Sequence, residues 1–241
     1  MPWRRWPATS AAAPQRWCAI ASSTGVAEVR PPTTDTGLPS PLPLFPLRAV
    51  LFPGALLGLK VFEARYLDLV TECLRTRAPF GVVCIKQGFE AGDRSAAVQL
   101  ESIGVLARLD EVDAEQAGIL RVRCTGLSRF RLAAPPVQRD SGLWVAPALE
   151  RVADDAPHLP GPAMLQTVQA LAEAIRTLGQ RGAEPFAQPY RLDDAGWVAN
   201  RWGELLPMPM SAKQKLMELE DPVIRLSLVD GFLRDKKVVF G

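Results

Sequence analysis

Histidine is almost missing from this sequence: His158 is the only one, and the four cysteines are Cys18, Cys73, Cys84 and Cys124. A structural zinc site needs about four nitrogen or sulfur ligands grouped at short spacings, and no two of these cysteines form a C-x-x-C pair. With one histidine, any Ser/His/Asp or Cys/His mechanism would have to pass through His158, which sits in a Pro-rich stretch. Phosphate-cradling loops of the G-x-x-x-x-G-K-[ST] kind are absent, as are the G-x-S-x-G elbow and H-E-x-x-H. Neighbouring acids do occur, at Asp110-Glu111, Asp154-Asp155 and Asp193-Asp194. Adjacent carboxylates diverge on a strand or helix, so they read as solvated turns or helix caps. No catalytic residue, metal ligand or cofactor site is expected.

No apolar run approaches the ~20 residues that cross a bilayer. The stretch Trp17 to Ala21 after the first arginines is too short for a secretory signal and is broken by Ser22, Ser23 and Thr24. Cys73, Cys84 and Cys124 stand among apolar neighbours, as buried thiols do in a reducing compartment, so a cytoplasmic protein without membrane contact is expected.

Charge of one sign is also lacking. The chain has 28 basic and 26 acidic residues; removing Arg4, Arg5, Arg16, Arg30, Glu28 and Asp35 of residues 1–37 leaves 24 of each. A protein held to nucleic acid by phosphate contacts carries a basic excess, so a nucleic-acid partner is not expected.

Residues 1–37 are rich in Ala, Pro, Ser, Thr and Arg without apolar periodicity, and read as a disordered tail. From Leu38 the pattern changes. Leu42 to Phe52 is apolar but punctuated by prolines, which suits extended segments, and Pro53-Gly54 marks a turn. Ala55 to Phe62 reads as a strand. Glu63 to Thr76 reads as a helix with Tyr66, Leu67, Val70 and Leu74 on one side, closed by Pro79. Strands are expected from Phe80 toward Gly88, as a longer region across Val98–Val112 with Gly104 inside it, around Leu120–Cys124 and Phe130–Leu132, and within Leu143–Val152.

After a break at Pro157–Pro162 the period turns helical. Met164 to Leu178 forms a stripe with Gly179 as its C-terminal cap, Asp194 caps a second helix, and Ser211 to Gln214 fits a capping box. Asp221-Pro222 opens a last helix with Ile224, Leu228 and Phe232 on one side. The expectation is an α+β chain: a tail over 1–37, a small barrel-like β-rich lobe with an early helix over 38–156, and a helical bundle over 157–241.

Two groups of residues invite a functional reading. Phe52, Leu56, Leu57 and Phe62 belong to an apolar stretch around a strand, whose neighbours point to opposite faces. Either both faces are covered or one exposes a patch suited to protein binding. Arg121, Arg123, Arg129 and Arg131 alternate with apolar residues, which would line the outer face of two neighbouring strands. They offer an anion or RNA patch, against the plainer reading of a solvated strand face, which the lack of interleaved aromatic residues favours. Glu63 and Arg65 read as a structural corner between strand and helix.

The string itself resembles a known family. Leu42-Pro43-Leu44-Phe45-Pro46-Leu47-Arg48, Val50-Leu51-Phe52-Pro53-Gly54 and Val61-Phe62-Glu63-Ala64-Arg65-Tyr66 resemble the opening of the amino-terminal domain of Lon-type proteases. Phe80-Gly81-Val82-Val83, Ile103 to Ala107, Gly126 to Arg131 and Lys213 to Leu219 follow in the same order, covering about residues 40–236. Gly58 departs from the pattern, where a proline is expected. The resemblance implies a PUA-like β lobe followed by a helical lobe, in a non-catalytic module that recognises exposed apolar or unfolded protein segments. It implies client proteins or a protease as partners and a role as proteolysis adaptor or regulator, with an RNA-binding PUA-like module as the alternative. The ATPase and Ser-Lys peptidase residues of Lon lie downstream in that family, and no position here matches them. Oligomeric state is not legible.

Overall fold

The computed structural model describes residues 40–87 and 98–239. The tail expected over 1–37 and Gly88, near which the strand from Phe80 was expected to end, lie outside the described residues. Nine strands form one mixed sheet: β1 (Leu42–Leu47), β2 (Leu56–Val61), β3 (Phe80–Gln87), β4 (Gln99–Leu100), β5 (Ile103–Gln116), β6 (Ile119–Leu132), β7 (Val137–Gln138), β8 (Trp144–Ala146) and β9 (Leu149–Arg151). The path runs β2-β6-β5-β3-β1-β8-β7, with β4 on β3 and β9 on β6. Among the described residues only β1 and β3 pair in parallel, and helix α1 (Ala64–Thr76) lies in the connection between them. Antiparallel neighbours need only a tight turn, whereas a parallel pair needs such a crossover.

Helices dominate after Pro162: a short 3-10 turn (Pro162–Met164), then α2 (Leu165–Gln180), α3 (Ala195–Leu205), α4 (Met210–Glu218) and α5 (Pro222–Asp235). The architecture is α+β, as the sequence implied. The main hydrophobic core is common to strands and helices, joining Phe52, Val61, Val122 and Cys124 to Leu171, Val198, Trp202 and Leu226. A smaller core of Leu42, Leu44, Val83, Leu106, Phe130 and Ala146 lies apart from it.

Several local expectations need correction. The two strands expected around Leu120–Cys124 and Phe130–Leu132 are one strand, β6, folded back on β5 through Ala117 and Gly118 (φ 77°). Helix α1 buries Tyr66, Leu69, Val70 and Cys73 and leaves Leu74 exposed, because its core stripe is shifted from the predicted one. Gly179 lies inside α2, and the positive φ falls three residues later, at Gly182. Ser211 lies within the first turn of α4, whose cap is Pro209, so no capping box forms. Asp194 and Asp221 do cap: each carboxylate accepts from two backbone N–H groups, of Gly196 and Trp197 and of Val223 and Ile224.

Candidate protein-binding surface

Antiparallel pairing sends alternate residues of β2 to opposite sides. Leu57, Leu59 and Val61 lie opposite Cys124, Val122 and Leu120 and pack against the main core. Leu56, Gly58 and Lys60 lie opposite Thr125, Arg123 and Arg121 and occupy the other face. Among the four apolar residues singled out from sequence, Phe52 is the clear correction. It is 0% exposed, and a Cβ on Gly203 would come within 2.6 Å of its ring and one on Gly126 within 2.5 Å of its carbonyl oxygen. Phe52 is a core residue held between two glycine backbones, and cannot belong to a surface patch. Leu57 is half-buried against the core, Leu56 is half-buried on the outer face, and Phe62 is 60% exposed.

The turn leading into β2 is fixed from the helical side. Gly54 adopts φ 75°, and Arg201 of α3 donates to the carbonyls of Pro53 and Gly54 at 2.7 Å each. The Arg201 guanidinium lies over the rings of Phe186 and Trp197, at 5.3 and 5.6 Å. At the other end of β2, Glu63 and Arg65 form an ion pair at 2.6 Å, and Arg65 donates to the Gly142 carbonyl at 2.8 Å while lying over the Tyr66 ring.

A second apolar surface escaped the sequence reading. Of the α5 stripe, Ile224 is 52% and Leu228 55% exposed, whereas Phe232 is half-buried against the main core, and α5 buries Leu226, Val229 and Leu233. Around α4 and α5 a cleft of about 470 Å³ is lined by Met208, Leu216, Leu219, Leu228 and Phe232, with the Lys215–Glu218 ion pair beside it. The signal that could have revealed this was polar: Arg225 and Asp230 lie on the inward side of α5, where each meets acceptors or donors from other helices.

Comparison with known proteins places this geometry. The family model described as the ATP-dependent protease La (LON) substrate-binding domain matches residues 41–235. The chain belongs to this family. A solved structure, the Lon N-terminal domain protein from Xanthomonas campestris, is 33% identical, with a TM-score of 0.64, covering 80% of this chain and 98% of that one. The N-terminal domain of the Mycobacterium avium complex Lon protease, 17% identical with a TM-score of 0.54, shares the fold over 80% of this chain and 98% of its own. The Lon protease of Paraburkholderia phytofirmans is 29% identical over 78% of this chain, and that of Trichlorobacter lovleyi 25% identical over 81%. The chain spans 23% and 24% of the length of these two proteins.

Within this LON substrate-binding domain the four arginines form neither the alternative anion patch nor, at Arg129, the solvated strand face that the sequence favoured. They share one strand, and Arg129 is 2% exposed. Its guanidinium donates to Asp155 at 2.7 Å and to the carbonyls of Leu219, Ala153 and Met217. The other three have acidic partners: Arg121 with Glu115 and Arg123 with Glu111 at 3.4 Å, and Arg131 with Glu220 and Glu150 at 3.9 and 4.0 Å. Arg129 misled the sequence reading because its side of β6 is covered by Asp155 and the end of α4, whose carboxylate and carbonyls satisfy a buried guanidinium.

Burial raises the Cys124 thiol to about 12 and that of Cys73 to about 11, as expected for inert packing groups. Burial also raises Glu204 to about 7, against the opposing pull of Arg201 and Lys213. His158 is exposed, and its carbonyl accepts from Ala195 N–H at 2.8 Å. Among the described residues no group of His, Cys, Asp and Glu is arranged to hold a metal ion.

Proposed function

We propose that this domain binds exposed apolar or unfolded segments of other proteins, without catalysing a reaction, and serves as an adaptor or regulator of proteolysis. The observation that carries this reading is the family match over residues 41–235, a family described by substrate binding. The match includes neither an ATPase nor a peptidase part. Two outward apolar surfaces support the reading: Leu56 and Phe62 at β2, and Ile224 and Leu228 beside the α4/α5 cleft. Apolar side chains turned outward favour contact with other apolar groups, since water disfavours leaving them bare. The acidic partners of Arg121, Arg123 and Arg131 weigh against the RNA-binding alternative.

The test is fluorescence anisotropy of labelled, reduced and carboxymethylated lactalbumin against the full chain. Saturable binding that native lactalbumin does not share is expected, and equal indifference to both forms would remove the proposal. Replacing Ile224 and Leu228 together by Asp, and separately Leu56 and Phe62, apportions the binding between the two surfaces. Each pair should weaken it severalfold, because a carboxylate cannot be buried unpaired against apolar groups.

A further inference from the structure

The outer edge of β2 carries a second kind of binding group, in the backbone. Gly126 N–H donates to the Ala55 carbonyl at 2.9 Å. In an antiparallel ladder, that bond fixes which residues exchange hydrogen bonds with β6. Leu57, Leu59 and Val61, opposite Cys124, Val122 and Leu120, turn their N–H and C=O groups toward β6. Leu56, Gly58 and Lys60 therefore turn theirs away from it. The strand order ends at β2, and among the described residues no strand pairs with this outer edge. Gly58 is exposed, and in a glycine that exposure is backbone exposure. Open edges are usually guarded by charge, yet the guarding Lys60 ammonium pairs with Glu115 at 3.3 Å, on the face of the sheet.

We infer that β2 accepts an extended segment of an unfolded polypeptide as an additional strand, through the outward N–H and C=O groups of Leu56, Gly58 and Lys60. The occupant follows from the chemistry of the edge. A row of alternating donors and acceptors at strand spacing is matched by another extended backbone, and backbone recognition tolerates varied sequences. Leu56 on the strand and Phe62 just beyond it supply apolar contacts for alternate side chains of the segment. Gly58 adds no side chain to obstruct the approach. A native protein keeps its ladder groups occupied, so the edge selects chains that have lost their fold. The inference rests on the proposed protein-binding function and specifies how binding occurs at β2.

Amide hydrogen exchange followed by NMR on the full chain, with and without reduced carboxymethylated lactalbumin, is the test. On binding, the amides of Leu56, Gly58 and Lys60 should slow by about tenfold or more as they enter new ladder bonds. Those of Leu57, Leu59 and Val61, already bonded to β6, should change little. Gly58→Pro removes one outward donor without touching a bond to β6, and should weaken binding about tenfold. If lactalbumin binds but the three amides exchange as before, the strand-addition inference is wrong while the protein-binding function stands. If lactalbumin does not bind the wild-type chain, both are overturned. Slowing of the same amides by self-association, in concentrated protein without lactalbumin, also overturns it by naming a second copy as the occupant.

Discussion

Arg129, Arg201 and Arg225 are among the largest fully buried side chains of the molecule. A guanidinium stays charged at any ordinary pH, so each must be met by acceptors, and Asp155 meets two of them. It accepts from Arg129 at 2.7 Å and from both terminal nitrogens of Arg225 at 2.6 and 2.9 Å, and Arg225 also donates to Asn200 at 3.0 Å and to the Leu219 carbonyl. Removing one member leaves buried charge uncompensated. Asp155→Ala should therefore lower unfolding stability by about 3–5 kcal/mol, read from the urea midpoint at unchanged slope. A shift near zero would contradict this account of the cluster. Glu204 gives a pH signature. Its folded pKa of about 7 lies above the ordinary carboxylate value of 4.5, so the folded state holds a proton that the unfolded state has released between those values. Stability contributed by the protonated form is full below about 4.5 and is lost as pH rises toward 7. Glu204→Gln should flatten that part of the stability–pH curve. Identical slopes in variant and wild type would show that Glu204 does not titrate there.

Single elements show why some of this was legible in the sequence and some was not. Asp194 and Asp221 were readable because an N-cap is a local bond between a carboxylate and amides two and three residues on. The helix at Ala64–Thr76 was readable from period alone, but which side of it met the core depended on its neighbours. The same limit hid the outward stripe of α5, where Arg225 rather than Leu228 faces inward because Asp155 awaits it. At β2, alternation separated two faces without saying which was wet. The structure answers this, and a contrast checks it. Leu57→Asp should cost about 1–3 kcal/mol, because its side chain packs on the main core. Leu56→Asp, on the outer face, should stay within about 0.5 kcal/mol. Equal losses at the two positions would mean that β2 is oriented otherwise.

At the scale of the molecule, strands and helices share one main core, and the buried Arg129–Asp155–Arg225 cluster joins β6 to α5. The surfaces assigned to binding are thus held on a common scaffold. Apolar protein segments and the phosphates of RNA differ in how their binding responds to salt. No helix among the described residues is long and apolar enough to cross a membrane. Family, architecture and the order of elements were legible because the resembling segments recur collinearly over most of the chain. The placement of Phe52 in the core and of Arg129 under the helices was not, since both depend on contacts with α3, α4 and Leu219, formed late in the sequence. The most direct test of the central claim is a salt titration of binding, with labelled carboxymethylated lactalbumin and a labelled single-stranded RNA offered separately to the full chain. The account predicts that the unfolded protein binds with an affinity nearly independent of salt and that the RNA does not bind. RNA binding that falls steeply with the logarithm of salt concentration, with no binding of the unfolded protein, would contradict it.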